Sequence, residues 1–288
     1  MNSSTVRWPL TGFMALLIAV GSTSALSSAD TARELNEEAR QAKEEGMRLY
    51  GIRWRSVAIH HLEKAAEAGD VESMYTLGEI YRFMDRGMSR EAIDWYHRAA
   101  EGGDPYAMLR LNWGMICELA DICPEEHDSW AKMALDQELP KAEEGDPDAM
   151  LALYSVYVAL EDVEEGRNWL RNAAAAGLPQ AQDLWASRIQ ERSGDWPPRA
   201  EDVKAAEQGY APAMNNLAGN LWRQDDVEGS WKWVVRGSEH GYVNNRVTYG
   251  RCHLKPEDRP YCPNDSDPIK GWLNREPPLS YFPPKYGL

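Results

Sequence analysis

A glycine that returns at a near-constant interval, each time at the end of a helix-forming stretch, constrains this chain more than any other feature. The glycines are Gly69, Gly103, Gly145, Gly177, Gly209 and Gly241, separated by 34, 42, 32, 32 and 32 residues. Ala65-Ala66, Ala99-Ala100, Ala173-Ala174 and Ala205-Ala206 stand just ahead of four of them. A period of roughly 30–40 residues holding two helical patterns is the signature of stacked helix pairs. Each part of the pattern has a physical reason. A left-handed glycine closes the last turn of a helix without a Cβ clash, and small alanines let neighbouring helices approach. In Asp104-Pro105 and Asp146-Pro147 the Asp caps the next helix and the Pro suits its first turn. Five and eight residues past the glycines stand Met74/Leu77, Met108/Leu111, Met150/Leu153, Gln182/Trp185, Met214/Leu217 and Arg246/Tyr249. That three-residue spacing makes one buried face on the first helix of each pair. The expected fold is all-α, a right-handed solenoid of about six helix-turn-helix repeats.

The two ends differ from this array. Arg7, the apolar run from Gly12 to Gly21 and the small residues Thr23-Ser24-Ala25 read as a secretory signal over residues 1–25, cleaved after Ala25. An uncleaved anchor is the alternative, but the run is far shorter than the roughly 20 apolar residues that span a bilayer. Thr31 to Tyr50 is expected to form a charged helix, with Leu35, Ala39 and Ala42 on one side, paired with Ser56–Ala68. The solenoid is thus expected over 30–254. From Lys255 the composition shifts to eight prolines in 34 residues, which predicts a capping tail over 255–288. In an exported chain the four cysteines fit two local disulfides, Cys117–Cys123 and Cys252–Cys262. Metal ligation with His127 and His253 nearby is the alternative, though neither pair has the C-x2-C spacing of zinc sites.

A net charge of −15 with no basic block disfavours nucleic acid and anionic lipid as partners. Nor does the chain carry a nucleophile elbow, phosphate loop, dinucleotide fingerprint or His-Glu-x-x-His motif, so no catalytic residue, metal or cofactor is expected. The adjacent His60 and His61 point apart on a helix. Glu125-Glu126-His127-Asp128 reads as a helix start, where carboxylates complement the dipole, with cation binding as the alternative. Trp95, Trp169 and Trp233 share one repeat position and read as packing between pairs. Positions 3, 6, 10 and 13 past each glycine should line the inner groove of a solenoid. They hold Glu72, Tyr75, Glu79 and Arg82, then Tyr106 and Trp113, then Asp148 and Ser155, then Gln180 and Asp183, Asn215 and Trp222, and lastly Asn244 and Arg251. Aromatic and amide groups among carboxylates suit a surface that binds protein.

Met74 to Tyr81, followed by Ala92 to Asp104, resembles the Sel1-like repeat, a tetratricopeptide relative of the pattern A-x-x-x-L-G-x-x-Y, loop, A-x-x-W-Y-x-K-A-A-E-x-G. The resemblance runs from Ala58 to Tyr249. The family's glycine-rich loop is shortened here to Phe83–Met88 and absent later. The resemblance implies a non-enzymatic, periplasmic, monomeric protein-binding scaffold. One role it implies is immunity, the occlusion of an antibacterial phospholipase delivered by a type VI secretion system. An assembly or regulatory adaptor of envelope or exopolysaccharide machinery is the alternative. A hydrolase of the Cys-rich Sel1-like kind is a further one, without a supporting motif.

Overall fold

The protein is described here by a computed structural model covering residues 35–51, 53–113, 116–124, 129–193, 200–240, 244, 245 and 248. The expected signal segment, the cluster at 125–128, Gly241, Arg246, Tyr249, Arg251, the Cys252–Cys262 pair and the tail lie outside the described residues.

Among the described residues thirteen helices follow one another, and twelve of them form six hairpins. The pairs are α1 (Glu37–Gly51) with α2 (Arg55–Glu67), and α3 (Val71–Met84) with α4 (Arg90–Glu101). Next, α5 (Pro105–Leu111) pairs with α7 (Trp130–Glu143), the short α6 (Ile116–Ala120) lying between them in sequence. Then come α8 (Pro147–Ala159) with α9 (Val163–Ala175), α10 (Pro179–Ser193) with α11 (Ala200–Glu207), and α12 (Ala211–Arg223) with α13 (Val227–Glu239). Each second helix also packs on the first helix of the next pair, which is the stacking of an α-solenoid. Helix α1 begins later than the sequence suggests, but it pairs with α2 as expected, burying Ala39 and Ala42.

The recurring glycine does what its position predicts. Gly69, Gly103, Gly145, Gly177 and Gly209 all have φ between 90° and 102°. In every case the glycine N–H donates three residues back and the next N–H donates five back, as in Gly103 to Ala100 O (2.9 Å) and Asp104 to Ala99 O (3.0 Å). This double bond is the Schellman closure, and it satisfies two carbonyls that the helix end would orphan. The following residue then turns straight into the next helix: Asp70, Asp104 and Asp146 cap α3, α5 and α8 with their side chains.

Most of the predicted apolar face is buried, with Met74, Met150 and Trp185 partly so. Leu77, Met108, Leu111, Leu153, Met214 and Leu217 are inaccessible or nearly so, as are the alanine pairs before the glycines. Trp95, Trp169 and Trp233 pack partly buried between hairpins. Gln182, at a position held by Met in four other repeats, keeps its amide satisfied by Ala174 O (3.3 Å) and Gln208 Nε2 (2.8 Å). Gly78 is required by packing: a Cβ there would sit 2.6 Å from the Tyr96 ring. The long second interval, from Gly103 to Gly145, holds an insertion closed by the disulfide Cys117–Cys123. Trp130 Nε1 ties it to the scaffold by donating to Ile122 O (3.0 Å).

Candidate protein-binding face

The first helices do not present a uniform groove. Glu79 of α3 is the hub of a half-buried network. It accepts hydrogen bonds from Tyr96 Oη (2.7 Å), Arg110 Nε (2.7 Å) and Arg82 Nη2 (2.8 Å), and so joins α3, α4 and α5. Burial alone would raise its pKa. The Arg82 hydrogen bond, the Arg110 charge and the Tyr96 hydroxyl outweigh that and hold it below the usual carboxylate value. Nearby, Glu72 pairs with Lys43 of α1 (2.9 Å). Glu72 and Glu79 thus bind hairpin to hairpin, and Arg82 is held by Glu79 on its own helix.

Tyr75 and Asp183 correct the expectation of an exposed groove. Tyr75 is 3% exposed, its ring 5.8 Å from that of Tyr96 in the core shared by the second and third hairpins. Asp183 is buried and accepts from Asn216 Nδ2 (2.9 Å). Burial pushes its pKa up to about 6, with the nearby Asp202 charge adding to the rise and the Asn216 hydrogen bond opposing it. Ser155 is buried too, and Tyr106 is half-buried against the same core as Tyr75. The reason is geometric. A first helix is flanked by the second helix of its own hairpin and by that of the preceding one. Only a narrow strip can face outward, as α8 shows by burying seven consecutive-face residues from Ala149 to Val156.

What does face solvent is Asp148, half-exposed Asn215, and the two indoles Trp113 (71%) and Trp222 (42%). Both indoles stand at C-terminal ends of first helices or just beyond, where flanking helices no longer cover them. Leu119, 82% exposed on α6, adds a second large apolar group on the disulfide-closed insertion that follows Trp113 in sequence. It was not singled out from sequence, because its exposure depends on how the disulfide folds the insertion. A further apolar group, Trp54, Val57, Phe83 and Met84, lies at the turn ends of the first two hairpins. Its signal was present in the sequence, as the apolar pair Phe83-Met84 inside a loop. Among the described residues, no group of three or more His, Cys, Asp or Glu could hold a metal ion.

These features define a class: an α-solenoid of helical hairpins with a few exposed aromatic groups at its helix ends. No family model matches the chain. An uncharacterised protein of Neisseria meningitidis serogroup B is 31% identical over 170 residues, 57% of this chain. The chain spans about a third of that relative's length (34%). Among solved structures, a Sel1 repeat protein from Oxalobacter formigenes matches at TM-score 0.40 and 20% identity, over 83% of this chain and 74% of that one. A protective antigen of uropathogenic Escherichia coli with an SLR fold matches at 0.39 and 20%, over 85% and 58%. An immunity protein from Pseudomonas aeruginosa matches at 0.36 and 16%, over 85% and 83%. The fold assignment rests on the chain's own hairpins and closures. Among the described residues, no helix is long and apolar enough to cross a membrane.

Proposed function

We propose that this chain is a non-enzymatic scaffold that binds a protein partner through the exposed helix ends of its hairpins. The observation that carries the reading is Trp113, a large indole 71% exposed just past the end of α5 and ahead of the loop that Cys117–Cys123 closes. Rigid aromatic groups lose little freedom on binding and dominate interface energetics, and preorganisation lowers the cost further. Asp148 and the overall charge of −15 favour a partner with a basic patch, so association should weaken with salt. Membership of the Sel1-like family, residence in the periplasm after removal of residues 1–25, and a monomeric state belong to this reading. Within it, immunity against a secreted phospholipase is the role to test first.

The test is a periplasmic pull-down to obtain the partner, then calorimetry with variants. Trp113→Ala and Trp222→Ala are expected to weaken binding by about 2 kcal/mol each, roughly thirtyfold, with the melting temperature nearly unchanged. Loss of stability with intact binding in the folded fraction would remove the indoles from the interface. Co-expression with the phospholipase separates the roles: protection supports immunity, and a partner from envelope machinery supports the adaptor.

A further inference from the structure

Half of the exposed large apolar side chains among the described residues stand on two adjacent turns that the proposed partner face does not use. They are Trp54 and Val57 at the start of α2, and Phe83 and Met84 at the end of α3, each between 46% and 60% exposed. All four line one shallow pocket of about 380 Å³, together with Arg53, Arg55 and Ser56. A cluster of this kind marks a surface that something apolar covers.

The charge around the cluster says what covers it. Residues 53–57 and 83–90 hold four arginines, Arg53, Arg55, Arg86 and Arg90, against the single carboxylate Asp85, in a chain whose net charge is −15. Arg53, Arg86 and Arg90 are exposed. Arg53 donates to Asn244 Oδ1 (3.1 Å), and the Arg55 guanidinium lies 3.9 Å over the Phe83 ring. Both contacts are with neutral groups, so neither cancels the positive charge. Arg82, by contrast, is paired with Glu79 (2.8 Å). The sequence shows no basic block because these arginines sit on turns about thirty residues apart, and only the stacking of hairpins brings the turns together.

Apolar groups ringed by arginine match the boundary between acyl chains and anionic headgroups. Tryptophan is enriched at that depth, and arginine lays its stem on apolar surface while its guanidinium meets phosphate. A deep cleft would point to a single inserted side chain of a peptide. Four half-exposed side chains around a shallow hollow suit instead a fluid surface that moulds itself to them. The acidic remainder of the chain does not forbid the approach, because charges beyond roughly 8 Å are largely screened at physiological ionic strength. It orients the chain, with this edge toward the lipid.

We propose that the turn ends of the first two hairpins are a docking surface for an anionic phospholipid bilayer. Trp54, Val57, Phe83 and Met84 enter it to headgroup depth, and Arg53, Arg55 and Arg86 hold the phosphates. The contact is peripheral, and the expectation against anionic lipid, drawn from net charge, gives way at this edge alone. It goes beyond the partner reading, because Trp113, Asp148 and Trp222 take no part in it.

The experiment reads the contact at one residue, because the apolar run 12–21 can enter lipid by itself. The full chain carries p-benzoylphenylalanine in place of Phe83. It is irradiated with vesicles of phosphatidylcholine, either alone or mixed equally with phosphatidylglycerol. Mass spectrometry is expected to find phospholipid joined to residue 83, about tenfold more on the mixed vesicles. The same probe in place of Trp222 should give far less lipid adduct. Adding Arg53→Gln and Arg86→Gln to the position-83 chain should lower its yield about thirtyfold, at roughly fivefold per arginine, with the circular dichroism unchanged. The vesicle comparison needs neither of these substitutions, so it stands if that variant fails to fold. Equal yields on the two kinds of vesicle, or equal yields at positions 83 and 222, would overturn the proposal. So would adducts of residue 83 to protein in place of lipid when periplasmic extract and mixed vesicles are offered together, which would make the occupant an acidic protein segment.

Discussion

Glu79 and Asp183 are both carboxylates of first helices, and their surroundings drive them in opposite directions. Glu79 meets two guanidinium groups and a phenol, so its folded pKa lies below its unfolded value. The stability it supplies is present above the unfolded pKa and is lost as pH falls through the folded one. Asp183 is buried with one amide donor, so its pKa rises from 3.8 to about 6. Its contribution is fully present below the unfolded pKa and is lost as pH rises through about 6. Asp183→Asn, which can still accept from Asn216, should therefore stabilise the protein at pH 7 by up to about 3 kcal/mol. Urea unfolding at pH 4 and pH 7 checks this: the advantage of the variant should appear at pH 7 and vanish at pH 4. The side-chain partners of these two residues were not legible in the sequence. The repeat places both on the same strip of a helix, and only the neighbouring hairpin decides whether that strip meets an arginine, an amide or water.

At the scale of the element, the chain uses one closure with two different residues. Between hairpins the left-handed position is glycine. Within four hairpins the same bond pattern is closed by Arg53, Arg86, Glu161 and Asp225, with φ from 56° to 66°. A left-handed conformation costs a residue with a side chain about 1–2 kcal/mol, so the within-hairpin turns carry strain that the between-hairpin turns avoid. Glu161→Gly should stabilise the fourth hairpin by up to about 1 kcal/mol, partly offset by the freedom glycine gains when unfolded. Gly177→Ala, where nothing lies within 4 Å of the added Cβ, should cost about 1 kcal/mol through the backbone alone. Thermal unfolding of the two variants should shift in opposite directions. The glycine spacing made hairpin number and pairing readable, because a residue type that permits positive φ leaves a trace in the sequence. The strained turns left none, and neither did the burial of Tyr75, which depends on Tyr96 reaching over Gly78.

Across the whole array, each hairpin touches chiefly its neighbours, so opening should be easiest at the ends. Among the described residues, the Arg53–Asn244 hydrogen bond reaches further, joining the first turn to a residue beyond α13. Arg53→Ala should raise amide exchange up to about fivefold in both α1–α2 and α12–α13, while α7 and α8 stay unchanged. A change confined to α1–α2 would mean that the contact carries no energy. The uniform closures also bear on descent. Leu178 and Tyr210 enter their helices through the same pair of backbone bonds, so joining Gly177 directly to Tyr210 would recreate a native junction. Unequal crossing-over in the coding DNA can therefore add or delete a 32-residue unit without any new splice having to be invented, and the length of such a chain is free to drift by whole hairpins.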